Sequence, residues 1–141
     1  MKADFPTKPP QGMKFGLIIV NKFLHHLQRS DRVNFLKWSM GVLEPGGVLE
    51  ILDTDLEHYI VEQSEQPEFK NKLTIGYLET LVEIERDYTD TLKSDVQGAG
   101  FRIVHFDCRN YCDDTDAFSQ NPGEIISLKF KGLEIVAEKS V

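Results

Sequence analysis

Only two of the 141 residues are cysteine, Cys108 and Cys112. Small secreted domains held together by disulfides carry more, so a reducing, cytoplasmic setting is expected. No apolar run approaches the ~18 residues of a membrane-spanning helix, and the opening MKADFPTKPP has no apolar core of signal-peptide length. Basic residues are also in short supply: 16 Lys and Arg against 23 Asp and Glu leave a formal net charge of −7. Nucleic-acid affinity rests on clustered Lys and Arg, so this balance argues against a large phosphate-binding surface and leaves room only for a small local basic patch. The absence of any GxGxxG argues against half of a nucleotide-binding dehydrogenase. His105, Cys108 and Cys112 lack a fourth partner and any CxxC spacing, and strand alternation sets His105 and Cys108 on opposite faces, so no metal site is expected.

What is present is ordinary globular composition, 40% hydrophobic and 28% charged. The length suits one domain, large enough to bury a core without staples. Residues 1–14, with Pro6, Pro9, Pro10 and Gly12, read as an extended N-terminal arm. Residues 15–141 read as a single α/β domain. The run Leu17-Ile18-Ile19-Val20 is apolar without alternation, which predicts a central parallel strand buried on both faces. Ser30 is placed to cap a helix whose face is Val33, Leu36, Met40 and Leu43. Glu44-Pro45-Gly46-Gly47 is turn chemistry, and Val48 to Asp53 is a second strand, completing a βαβ unit.

Farther along, Leu73, Tyr77, Leu81, Ile84, Tyr88, Leu92 and Val96 recur at helical spacing. Thr89 or Asp90 can restart a second piece, so residues 68–96 are expected to form two helices, closed by Gly98-Ala99-Gly100. Phe101 to Phe106 and Ile125 to Ala137 read as two further strands around a polar loop, Asp113 to Gly123.

Open α/β sheets bind ligands outside the carboxyl ends of their parallel strands. The first strand ends at Asn21-Lys22 with His25 and His26 just beyond, and the second ends at Asp53-Thr54-Asp55. Adjacent parallel strands bring these clusters to one rim, where a carboxylate can fix a histidine's tautomer for proton transfer. The competing reading makes the histidines a helix-start pair with no chemical task, and Asp53 a solvated cap.

The order FGLIIVNKFLHHL, helix, LEPGGVLEILD, long helical region, GAGFRIVHFD and LEIVAEK resembles the class I S-adenosylmethionine-dependent methyltransferases. In that family a hydrophobic-His-His-hydrophobic segment follows the fourth strand, a Leu-x-Pro-Gly-Gly turn precedes the fifth, matched by Leu43 to Gly47, and Ala-Gly-Phe precedes the sixth, matched by Ala99 to Phe101. The resemblance covers residues 15–139. It implies part of a Rossmann-like methyltransferase sheet: strands equivalent to 4-5-7-6, mostly parallel with an antiparallel last strand, flanked by helices. The family's glycine-rich cofactor loop and the acidic residue ending its second strand are absent, and Gly16 stands where relatives usually have an acid. The likeness is therefore to the C-terminal half of the fold.

Function follows as an expectation from this resemblance: methyl transfer from S-adenosylmethionine to a small-molecule acceptor. His25 or His26 would act as base, oriented by Asp53, and Asp4, Asn21, Lys22 and Phe23 would lie against the cofactor. Residues 66–86 would help cover the substrate. With one wall of the cofactor site, the isolated chain is expected to bind S-adenosylmethionine weakly or not at all. The alternative is a catalytically incomplete paralogue serving as a structural or regulatory partner subunit. In either case the edge of strand 17–20 is expected to pair with a second copy or with a front-half polypeptide.

Overall fold

The structure, a computed structural model, describes residues 14–55, 72, 74, 87–117 and 119–141. Asp4 and the substrate-covering segment 66–86 fall largely or wholly outside these residues. In chain order the described elements are β1 (Phe15–Asn21), a 3-10 turn (Leu24–His26), α1 (Arg29–Val42), β2 (Leu43–Asp55), α2 (Tyr88–Gly98), β3 (Arg102–Thr115) and β4 (Ile126–Glu138).

The four strands form one sheet in the order β1-β2-β4-β3. β1 and β2 are parallel, with Ile18 opposite Leu49 and Asn21 opposite Leu52. The Gly46 N–H at the start of β2 donates to Lys139 O just past the end of β4, and Lys139 N–H returns to Gly47 O. Start meets end, so β4 runs antiparallel to β2. Likewise Arg102, at the start of β3, pairs with Glu138 at the end of β4, and His105 lies 4.0 Å from Glu134. The last strand is thus the antiparallel one, and it sits inside the sheet. Its burial alternates, with Leu133, Ile135 and Ala137 buried and Glu134, Val136 and Glu138 half-buried.

Two expectations need correcting. β1 is parallel but outermost, and only Val20 on it is buried; Leu17 and Ile19 are 53% and 57% exposed. Among the described residues nothing pairs with its open side, and an apolar run by itself does not distinguish a central strand from an edge. The predicted seam of α1 holds only in part: Leu36 and Leu43 are buried as expected and Arg32, Phe35, Ser39 and Val42 join them, while Val33 and Met40 are half-buried. Phe35 and Val42, each two residues beyond Val33 and Met40, supply the apolar bulk instead. The seam admits Arg32 because Asp95 of α2 meets it at 3.5 Å, and Asp95 also accepts from Arg29 Nη2 at 2.9 Å.

Element ends follow local chemistry. α1 begins at Arg29 with Gln28 as its cap residue, so Ser30 lies inside the first turn. Its last carbonyls are covered by two lysines. Lys14 Nζ donates to Gly41 O at 2.6 Å, and Lys139 Nζ donates to Met40 O and Leu43 O at 2.8 and 2.9 Å. Cations suit this negative end of the helix dipole. The turn at 44–47 exists as an outpocketing of β2. Phe15 faces Leu43 and Leu17 faces Val48, so two steps on β1 match five on β2.

α2 starts at Tyr88 directly after Asp87, whose φ of 55° interrupts any helix reaching it. Tyr88, Leu92 and Val96 are buried as their spacing predicts; the earlier seam residues lie outside the described set. The helix ends in a Schellman arrangement. Gly100 has φ 102°, its N–H donates to Gln97 O, and Phe101 N–H donates to Val96 O.

Two compact units are distinguished along the chain, Met1–Asp53 with Thr89–Cys108 and Leu133–Val141, and Thr54–Tyr88 with Arg109–Gly132. Within the second, Gln120 N–H donates to Lys72 O at 2.7 Å and Lys72 Nζ lies 3.5 Å from Glu124. Among the described residues no helix is long and apolar enough to cross a membrane.

Candidate active site

The site grows from the carboxyl end of β1. Asn21 is the last residue in register, and Lys22 N–H adds one further ladder bond to Leu52 O at 2.7 Å. At Lys22 the backbone turns to φ 50°, redirecting the chain off the strand. A 3-10 turn follows at once, with His26 N–H donating to Phe23 O and Leu27 N–H to Leu24 O, both at 3.1 Å. Two apolar residues pin this turn. Leu24 is fully buried, and the Phe23 ring meets Phe35 of α1 edge-on with centroids 5.8 Å apart. Anchoring the turn through Phe23 and Leu24 leaves the next two positions, His25 and His26, at the rim.

β2 brings the carboxylate. Leu49, Ile51 and Asp53 share its buried face, so Asp53 is carried into the fold by the same alternation that buries its apolar neighbours. His25 Nδ1 is in hydrogen-bond contact with Asp53 Oδ1. The Asp53 side chain is 1% exposed and that of His25 18%. A carboxylate accepts, so Nδ1 carries the proton and Nε2 of the neutral ring keeps its lone pair. The arrangement can hold one imidazole in a fixed tautomer with a basic nitrogen left for a ligand.

His26 is the more exposed of the pair, and its ring centroid lies 4.1 Å from that of His25. Lost hydration and the neighbouring His25 lower its pKa from the ordinary 6.5, while Asp53 pulls the other way.

Of the residues singled out from sequence, the fold therefore joins His25 to Asp53 and sets His26, Asn21 and Lys22 beside them along the strand end. Phe23 is half-buried and engaged with Phe35. Asp4 lies outside the described residues. His105 and Cys108 are exposed on β3, and among the described residues no group of three or more His, Cys, Asp or Glu is placed to hold a metal ion. Sequence reasoning missed the left-handed backbone at Lys22, for which a lysine gives no signal, and the buried Arg32–Asp95 pair.

Neither a protein-family model nor a curated protein matches the sequence. Solved structures do match the fold. A candidate methyltransferase from Bacillus halodurans is 17% identical, with a TM-score of 0.60 over 97% of this chain and 70% of its own. A SAM-dependent methyltransferase from Methanosarcina mazei is 16% identical, with a TM-score of 0.59 over 97% of this chain and 66% of its own. A [4+2]-cyclase matches at 12% identity and a TM-score of 0.53, over 96% of this chain and 54% of its own. The chain thus spans about two thirds of the two methyltransferase structures and half of the cyclase. At such identities the likeness establishes fold alone: the mixed α/β fold of SAM-dependent methyltransferases.

Proposed function

We propose that the protein methylates a small-molecule acceptor using S-adenosylmethionine, with His25 as general base and Asp53 as its orienting partner. The observation that carries this reading is the His25–Asp53 contact at the carboxyl ends of two adjacent parallel strands, where sheets of this kind bind ligands. The strand order β1-β2-β4-β3 agrees with equivalence to the family's strands 4-5-7-6.

The residues present fit one side of the cofactor. Asn21 and Lys22 end β1 with exposed side chains, but the Lys22 N–H is already committed to Leu52 O, so carbonyls and side chains are what this edge offers. When bound, the cofactor supplies an electrophilic methyl group. The chain's own task is to position the acceptor and remove its proton. His25 Nε2 takes that proton, and Asp53 stabilises the resulting imidazolium across Nδ1. The lowered pKa of His26 favours its neutral form, which does not repel that charge.

Calorimetric titration of the purified chain with S-adenosylhomocysteine tests the cofactor assignment. Half a site is expected to bind more weakly than micromolar, which corresponds to about −8 kcal/mol. Detectable weak binding supports the reading, low-micromolar binding contradicts the half-site assignment, and complete absence at millimolar ligand favours the non-catalytic reading below.

A second reading, a non-catalytic partner subunit, is favoured by the outermost position of β1 with Leu17 and Ile19 exposed. It gains if the chain binds no cofactor yet associates with another polypeptide or a second copy.

A further inference from the structure

Among the described residues, two other than glycine have positive φ, Lys22 at 50° and Asp87 at 55°. Asp tolerates this region through local hydrogen bonds of its short side chain, whereas lysine has no such compensation. A glycine would adopt the Lys22 backbone without strain. The backbone task at this position, donating N–H to Leu52 O at 2.7 Å, is one that glycine would also perform. Nothing in the turn therefore calls for a lysine, and an unfavourable backbone at a strand-end rim points to a role for its side chain.

That side chain is exposed and has no ion-pair partner among the described residues. Neighbouring cations are committed elsewhere. Lys14 and Lys139 cover the carbonyls at the end of α1, and Arg29 and Arg32 converge on Asp95. Asp53, one step past the Asn21–Leu52 pairing on β2, is buried and bound to His25. Among the described residues, Lys22 thus presents a positive charge with no ion-pair partner, in a chain of net charge −7, three residues before His25.

We infer that Lys22 anchors a carboxylate of the bound small molecule, giving the site a preference for anionic ligands. This rests on reading the strand ends as a ligand site. The carboxylate can belong to the acceptor or to the amino-acid part of the cofactor, and two probe pairs separate these sources. Benzoate against benzyl alcohol tests the acceptor side. S-adenosylhomocysteine against 5′-methylthioadenosine, which lacks the amino-acid carboxylate, tests the cofactor side.

Each probe is titrated to millimolar concentration into the full 141-residue chain, following backbone amide shifts of residues 21–26 by NMR at fixed ionic strength. The wild type is compared with Lys22→Gly, which removes strain and charge together, and Lys22→Gln, which removes charge alone. The expected result is a roughly fivefold loss of affinity in both variants for the carboxylate member of at least one pair, the scale of one charge-assisted contact. The uncharged member is unaffected, and Lys22→Gly melts at a higher temperature than the wild type.

Equal losses for charged and uncharged probes, no loss for either, or no binding of any probe would each overturn the proposal. If the nucleosides bind without dependence on Lys22 and benzoate shows none, the methyltransferase reading stands and this one falls. If benzoate alone depends on Lys22 and no nucleoside binds, the anion site stands and the cofactor reading falls.

Discussion

His25 Nδ1 and Asp53 Oδ1 meet although 28 residues separate them in the chain. The parallel register, with Asn21 opposite Leu52, is what brings them together. In an assembled, active enzyme, His25→Ala is expected to slow methyl transfer about 10²–10⁴-fold, the usual span of general-base catalysis. Asp53→Asn should lower turnover in the same direction, and both should leave cofactor affinity less affected. Steady-state and single-turnover kinetics with a proton-bearing acceptor provide the check. Unchanged turnover in both variants would return the pair to a structural role.

The lowered pKa of His26 has a defined consequence for stability. The unfolded chain takes up this proton near 6.5 and the folded chain only at lower pH. Between those values the unfolded state binds more protons, so stability falls as pH drops through that window and this contribution is absent above it. Urea midpoints measured at intervals from about pH 8 to 5 should therefore decline less steeply for His26→Gln than for the wild type.

Asp95 is 6% exposed and serves two guanidiniums of unequal burial, Arg32 at 0% and Arg29 at 60%. Asp95→Ala takes one carboxylate from the buried Arg32 and should cost about 1–3 kcal/mol. Arg29→Ala removes a largely solvated partner and should cost less than about 1 kcal/mol. Chemical denaturation of both variants reads the contrast, and similar losses would count against it.

Two glycines should respond oppositely to alanine. A Cβ at Gly47 would lie 2.8 Å from the Glu44 carbonyl and 3.0 Å from the Leu43 side chain, so Gly47→Ala should destabilise by about 1–3 kcal/mol. A Cβ at Gly41, inside α1, would enter open space, and Gly41→Ala should stabilise by about 0.5–1 kcal/mol. Melting temperatures of the two variants should move in opposite directions.

Leu17 and Ile19 stand on the outermost strand, two residues apart and hence on one face. Replacing both by lysine should change folding stability by less than about 0.5 kcal/mol per site, as for other surface positions. Any self-association of the wild type seen by light scattering at tens of micromolar should weaken in the double variant, because charge blunts an open strand edge. Retained association would place the contact elsewhere.

Local pattern determined much of this protein. The apolar runs marked strands near their observed places, and Pro45-Gly46-Gly47 marked the outpocketed turn. Gly100, just past α2, announced the Schellman closure, because few other residues adopt its backbone. The adjacency of the histidine and aspartate clusters was also legible, since a short βαβ crossover leaves parallel strands side by side. Tertiary structure decided the rest. Whether an apolar run such as Leu17 to Val20 lies inside a sheet or at its edge depends on what pairs with its far side, and no local propensity encodes that. The buried face of α1 was settled by Asp95, 63 residues beyond Arg32, because a buried guanidinium is tolerable only where a distant carboxylate arrives to meet it. The turned backbone at Lys22 is likewise fixed by the bond to Leu52 and the anchoring of Leu24, contacts made only after the chain has folded.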